Sequence, residues 1–148
     1  MVTGLEKLSD LQQLPYDFIF VDTPPYLSAD LPALFEMSDM VIIPTKPGIA
    51  DLMAIRATIA MLQDVHDKNP KLKKVIVFNM VKMSSSITAK IKELVDAYEI
   101  PVFKRMITDR VSFARSLAID DGIYGLEDTK AKEELDELTQ EVIDILNN

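Results

Sequence analysis

Short runs of β-prone apolar residues alternate along the chain with longer stretches whose apolar positions recur at helical spacing. The runs are Phe18-Ile19-Phe20-Val21, Met40-Val41-Ile42-Ile43, Val75-Ile76-Val77-Phe78 and Val102-Phe103. Each is continuously apolar, the pattern of strands covered on both faces. Between them Leu52, Ile55, Ile59 and Leu62 form one helical stripe, and Ile87, Ile91, Leu94, Val95 and Tyr98 another. Ser84, Ser85 and Ser86 offer N-caps to the second helix, and Ile100-Pro101 breaks it before the next strand. Leu5, Leu8, Leu11 and Leu14 predict a helix ahead of the first strand. Arg110 to Ile119 reads as a short helix ended by an Asp120-Asp121-Gly122 turn. Thr129 is placed to cap a last helix whose apolar face is Leu135, Leu138, Val142, Ile145 and Leu146. Strands alternating with helices predict an α/β fold, a three-layer sandwich around a mostly parallel sheet.

Length and composition narrow this picture. The 148 residues suit a single α/β domain over 1–148. With 48% hydrophobic and 27% charged residues the balance is that of a globular chain. No apolar run approaches the ~20 residues of a bilayer span, the start resembles no signal peptide, and the acidic last helix does not suit a membrane surface. A cytoplasmic location with no membrane partner is expected. Zero cysteines exclude disulfides, thiolate metal sites and a cysteine nucleophile, and the single histidine, His66, leaves little scope for histidine chemistry. A net charge of −8 argues against nucleic acid coating the whole surface, while a local basic patch remains compatible with it. The four glycines form neither G-x-x-x-x-G-K-[ST] nor G-x-G-x-x-G, so this sequence carries no phosphate-cradling loop.

Ligands of open parallel sheets bind beyond the carboxyl ends of the strands, which makes those ends the candidate sites. The first run ends in Asp22-Thr23-Pro24-Pro25, a carboxylate able to hold Mg²⁺ followed by a turn that cannot continue a ladder. A solvated aspartate in a strand-ending turn explains the same residues equally well. The second ends in Pro44-Thr45-Lys46-Pro47-Gly48 ahead of a helix. The third ends in Asn79, whose amide can meet a purine edge or satisfy neighbouring backbone groups. The fourth leads into Lys104, Arg105, Arg110 and Arg115, opposed locally only by Asp109, a cluster suited either to solvent or to the phosphates of DNA.

Tyr16-Asp17-Phe18-Ile19-Phe20-Val21-Asp22-Thr23-Pro24-Pro25 closely resembles the Walker B and switch II segment of the ParA/MinD family of deviant-Walker P-loop ATPases. Ser38 to Thr45 resembles that family's next strand, and Val77-Phe78-Asn79-Met80 its nucleotide-base strand. Val102 through Arg110, Phe113, Ala114, Gly122 and Leu126 resembles the C-terminal part of plasmid-partition ParA proteins. Members begin with a strand and P-loop for which this sequence has no match, so the chain resembles a C-terminal portion of a P-loop NTPase-like fold.

The resemblance implies an ATP- and Mg²⁺-dependent dimerising switch that binds DNA non-specifically, works with a ParB-like adaptor and segregates plasmids or chromosomes or positions conjugation machinery. By position, Asp22 would be the catalytic Walker B aspartate, ordering Mg²⁺ through water. Thr23, Pro24 and Pro25 would read the γ-phosphate; Asn79, Thr108 and Asp109 would flank the base; Lys104, Arg105, Arg110 and Arg115 would face DNA, placing the protein on the nucleoid. Without a P-loop the chain alone is expected not to hydrolyse ATP. The absence of a central strand is expected to leave open sheet edges, giving self-association or a compacted sheet. Two other readings remain: a non-catalytic ParA-like module acting through a partner, and an unrelated receiver-like or flavodoxin-like domain with Asp22 and Lys104 in the phosphoacceptor roles, for which the Pro24-Pro25 turn is a poor fit.

Overall fold

The computed structural model describes residues 8–23, 28–82 and 89–147, and the features below concern these. Its centre is a parallel pair, β1 (Met40–Thr45) and β2 (Lys73–Phe78), in the register Ile42 to Val75 and Ile43 to Ile76. Residues 101–103 run alongside the other edge of β2, where the Ile76 N–H donates to the Pro101 carbonyl at 2.9 Å and the Phe103 N–H to the Ile76 carbonyl at 2.9 Å. The fold is therefore α/β with a small parallel sheet, of which β2 is the interior strand.

Alternation along the strands sends side chains to two cores. Ile43, Ile76 and Phe78 face one, with Leu34 and Phe35 of α1 (Leu31–Met37), Leu52 of α2 (Ile49–Ala54), Ile59 and Leu62 of α3 (Arg56–Asp64), and Ile91 and Val95 of α4 (Ala89–Asp96). Val75, Val77 and Phe103 face the other, covered by Leu138, Val142 and Ile145 of α6 (Thr129–Leu146). Helices on both faces of the sheet make the three layers.

Several expectations change in detail. The stripe from Leu52 to Leu62 is broken at Ile55 into α2 and α3. Helix α1 has a signature that the strand pattern obscured: Leu31, Leu34 and Phe35 share a face and Pro32 stands in the first turn. Its last turn is closed by the Asn69 amide, which donates to the carbonyls of Glu36 at 3.1 Å and Ser38 at 2.9 Å. The last helix is capped by Asp128 rather than Thr129, with the Ala131 N–H donating to Asp128 Oδ1 at 3.1 Å. The expected first helix is a 3-10 turn at Leu8–Gln13, with Leu11 buried. Leu5, Ser84 to Ser86 and Ile87 lie outside the described residues.

The largest correction concerns Phe18-Ile19-Phe20-Val21. This run forms no strand, and Phe20 is 82% exposed. A strand is stabilised by its neighbours' hydrogen bonds, and none of these four residues makes a backbone hydrogen bond to another described residue. The sheet is correspondingly narrower than expected.

Candidate functional site

The carboxyl ends of the parallel segments converge. Thr45, the last residue of β1, is buried and Lys46 just past it is exposed; past β2 stand Asn79 and Met80. The segment after residue 103 continues beside them: the Ile107 N–H donates to the Phe78 carbonyl at 2.9 Å, Val81 N–H to Ile107 at 3.0 Å and Asp109 N–H to Val81 at 3.0 Å. Val81 and Thr108 form a parallel bridge. A cavity of about 350 Å³ opens at this end, lined by Thr45, Lys46, Asp51, Ile55, Asn79 and Met80.

Asn79 serves its own turn first. Its Oδ1 accepts from the Met80 N–H at 2.8 Å, and Met80 takes a left-handed backbone with φ of 52°. That conformation is uncommon for a residue with a Cβ. With the oxygen engaged, the NH2 of the Asn79 amide is its free donor end, and Asn79 is among the residues that line the cavity.

A second constellation lies on the loop that follows. Helix α6 presents Glu134, Glu137 and Glu141 one turn apart, and all three hold residues 104–110. Glu141 accepts from the backbone N–H of Lys104 at 2.8 Å and of Arg105 at 2.7 Å, and Glu137 pairs with the Arg105 guanidinium. Glu134, only 7% exposed, accepts from the Thr108 N–H at 2.9 Å and the Thr108 hydroxyl at 2.9 Å. It also accepts from Arg110 Nη2 at 2.8 Å and Nε at 3.1 Å. Asp128 lies 3.9 Å from Arg110 Nη1 and accepts from the Ser112 hydroxyl at 2.6 Å.

Burial alone would raise the Glu134 carboxyl, but the hydrogen bonds from Arg110 and Thr108 outweigh it and hold this group below the ordinary carboxylate range. The Ser112 hydroxyl, then the Ala131 amide, hold Asp128 low. The hydrogen bond to Glu134 raises the Arg110 guanidinium further.

Three site residues expected from the sequence therefore meet here: Thr108 and Asp109 lie beside the Asn79 turn, and Arg110 follows. The four cations divide. Arg105 and Arg110 are engaged by α6 carboxylates, whereas Lys104 and Arg115 are exposed and Arg115 makes no ion pair with a described residue. Arg115 lies on α5 (Val111–Ser116) and lines a cavity of about 480 Å³ with Arg110, Ser112 and Asp128. The opposing charge is supplied by the last helix, not by Asp109 alone. Its signal was in the sequence, since Glu134, Glu137 and Glu141 recur at i, i+3 and i+7, one helical stripe.

Asp22 and Thr23 are exposed at the end of the unpaired segment, and Pro24 and Pro25 lie outside the described residues. Among the described residues no three His, Cys, Asp or Glu side chains cluster as a metal site. A lone aspartate still fits magnesium of the kind held by one carboxylate together with substrate phosphates and water. Among the described residues no helix is long and apolar enough to cross a membrane.

Ligands of open parallel sheets bind at the carboxyl ends of the strands, which is where these residues stand. Comparison with known proteins places the chain among the following relatives. Residues 4–74 match the family model described as an AAA domain. The chain is 28% identical over 136 residues to the maintenance of carboxysome distribution protein A of Halothiobacillus neapolitanus, covering 90% of this chain and 63% of that protein. It is 27% identical over 95 residues to a ParA family protein of Mycoplasma pneumoniae, covering 60% of this chain and 35% of that one. A ParA family protein of Mycoplasma genitalium is 20% identical over 157 residues, covering 95% and 57%. The chain is related to the ParA/MinD-like P-loop ATPases. It spans 35% to 63% of the length of these curated relatives.

Proposed function

We propose that this chain is the base-side portion of a ParA-like positioning ATPase. The observation that supports it is the convergence of Thr45, Lys46, Asn79 and Met80 around a cavity of about 350 Å³ at one end of the sheet, with Thr108 on the segment bridged to Val81 just beyond. In this reading the Asn79 amide donates to the adenine ring, Thr108 and Asp109 border the base, and Lys46 lies at the rim. Asp22 orders the magnesium and its water, while Thr23, Pro24 and Pro25 sense the γ-phosphate. Magnesium supplies charge neutralisation of the phosphates when bound. Nucleotide pairs two copies, and a ParB-like adaptor links them to cargo.

DNA is held through its phosphates by Lys104 and Arg115, the exposed members of the cationic segment. Arg110 acts as a positioning residue through Glu134 and Thr108, and Arg105 is anchored to Glu137. The footprint is therefore small, and in a chain of net charge −8 it is strongly weakened by salt.

Duplex retardation at low ionic strength tests this arrangement. Arg115→Glu is expected to weaken retardation of a non-specific duplex by about tenfold or more, each lost phosphate contact being worth roughly 1 kcal/mol or more once a repulsive charge replaces it. Retardation unaffected by Arg115→Glu and Lys104→Glu together contradicts the DNA reading. In the same preparations, phosphate release at saturating Mg-ATP is expected to stay at the background level, because this sequence carries no G-x-x-x-x-G-K-[ST] loop. Turnover abolished by Asp22→Ala contradicts that expectation.

A further inference from the structure

At the end of β2 the alternation of the strand is broken by one residue. Ile76 and Phe78 face the core shared with α1 to α4, and Val75 and Val77 face the core covered by α6. A strand continued regularly would send Met80 to the first core after Phe78. Val81 stands there instead, 5% exposed, while Met80 is 52% exposed and lines the cavity of about 350 Å³ beside Asn79. The step is made by the Met80 backbone, whose φ is 52°. It is pinned on both sides. The Asn79 N–H donates to the Thr45 carbonyl at 2.8 Å, the Val81 N–H donates to the Ile107 carbonyl at 3.0 Å, and the Val81 carbonyl accepts from the Asp109 N–H at 3.0 Å. The chain thus leaves the β1 ladder at Asn79 and joins the 107–109 segment at Val81. Met80 is the extra residue between them, much as a bulge re-aims one side chain beside a site.

A left-handed backbone suits glycine and disfavours a residue whose Cβ then crowds the following carbonyl. The Asn79 Oδ1, accepting from the Met80 N–H at 2.8 Å, holds that conformation without removing the crowding. Turn chemistry alone therefore favours glycine at position 80. What methionine adds there is its side chain, an unbranched and polarizable thioether at a cavity wall. Strain retained beside a cavity points to use of the group that carries it.

We propose that Met80 is a ring-contact residue: its side chain packs against the face of the planar heterocycle whose edge Asn79 meets, and the left-handed backbone is kept for that contact at a cost in stability. This rests on the base-side reading of the same cavity and adds the residue that recognises the ring as a flat surface. A donor such as the Asn79 amide reads polar atoms around the edge of a ring, whereas its faces offer nothing to hydrogen-bond and call for a polarizable apolar partner. Of the two large apolar side chains in the cavity wall, Ile55 packs against the first core and Met80 belongs to neither core. The contact is indifferent to the polar substituents of the ring, so the choice among bases stays with Asn79.

A methyl correlation spectrum of the chain carrying carbon-13 methyl methionine, titrated with adenosine and separately with ribose 5-phosphate, tests the contact. The expected result is an upfield ring-current shift of the Met80 methyl signal with adenosine and none with ribose 5-phosphate. Met80→Gly is expected to raise the thermal midpoint by about 2–4 °C, through relief of one strained residue, and to weaken adenosine binding by about threefold or more. Met80→Leu should keep the affinity within about twofold, since it conserves volume and apolar character. Adenosine-dependent shifts of the Asn79 and Thr108 amides with a Met80 methyl that stays still overturn the ring contact and leave the base-side reading standing. No shift at any of the three overturns both. An equal response to ribose 5-phosphate, or a Met80→Gly chain that binds adenosine as the wild type does, overturns the contact. So does a lowered midpoint in Met80→Gly, which would make Met80 a structural residue.

Discussion

Glu134→Ala is expected to lower the unfolding free energy by about 3 kcal/mol, since it leaves a half-buried guanidinium and a backbone N–H without their acceptor. The carboxylate joins three partners that sequence separates: the Thr108 N–H, the Thr108 hydroxyl and the Arg110 guanidinium. Removing it destabilises α6 less than the loop that α6 holds. Chemical denaturation should show the loss, and amide exchange should show residues 104–110 opening before the sheet. Glu134→Gln should recover part of the loss, since its amide oxygen can still accept from Thr108.

Acid should reproduce the same loss in the wild-type chain. Glu134 and Asp128 are both held below the ordinary carboxylate range. Groups lowered by folding contribute stability that is complete above their unfolded values of about 4 and is lost as pH falls through the folded ones. The thermal midpoint should therefore drop progressively below about pH 4. Glu134→Gln should flatten that dependence, and an unchanged acid profile in this variant contradicts the clamp.

Leu52→Ala is the second large effect, expected to cost about 2–5 kcal/mol. Leu52 is fully buried between α2, α3 and α4 against the sheet. Its carbonyl accepts from the Tyr98 hydroxyl at 2.6 Å, tying α2 to the turn after α4. Because Asp51 and Ala54 line the cavity from the same short helix, the substitution loosens the cavity wall as well as the core. Leu52→Met, which keeps the volume, should cost less than about 1.5 kcal/mol. Equal losses in the two variants would show that the carbonyl bond to Tyr98 is not held by the packing of Leu52.

Local pattern made β1, β2 and the apolar face of α6 legible, because their burial depends on alternation that each segment carries within itself. Asn79 was legible as a strand-end amide, and its use by the Met80 N–H was one of the two roles its chemistry allowed. Phe18 to Val21 shows where local pattern stops. A continuous apolar run specifies a strand only if an edge is present to receive it, and that is a property of neighbours. The pairing of Glu134, Glu137 and Glu141 with residues 104–110 was hidden for a similar reason. Their carboxylates read as a solvated helix face until the fold set that face against a cationic loop 24 to 37 residues away in sequence. The bridge from Val81 to Thr108 spans 27 residues of sequence, and the partners of Arg110 lie on another helix, so neither placement is carried by a local pattern.

The most direct test of the account is an amide correlation spectrum of the chain titrated with Mg-ATP and, separately, with Mg-GTP. Adenine offers an unprotonated N1 to the Asn79 amide, whereas guanine presents N1–H there. The account predicts weak binding, with a dissociation constant of about 1 mM or more in keeping with roughly 4 kcal/mol or less from base-side contacts. Mg-ATP should shift Lys46, Asn79, Met80, Thr108 and Asp109 while Mg-GTP leaves them nearly unmoved, and Asn79→Ala should abolish the difference. Identical responses to the two nucleotides, or shifts confined to exposed lysines and arginines away from this end of the sheet, would contradict it.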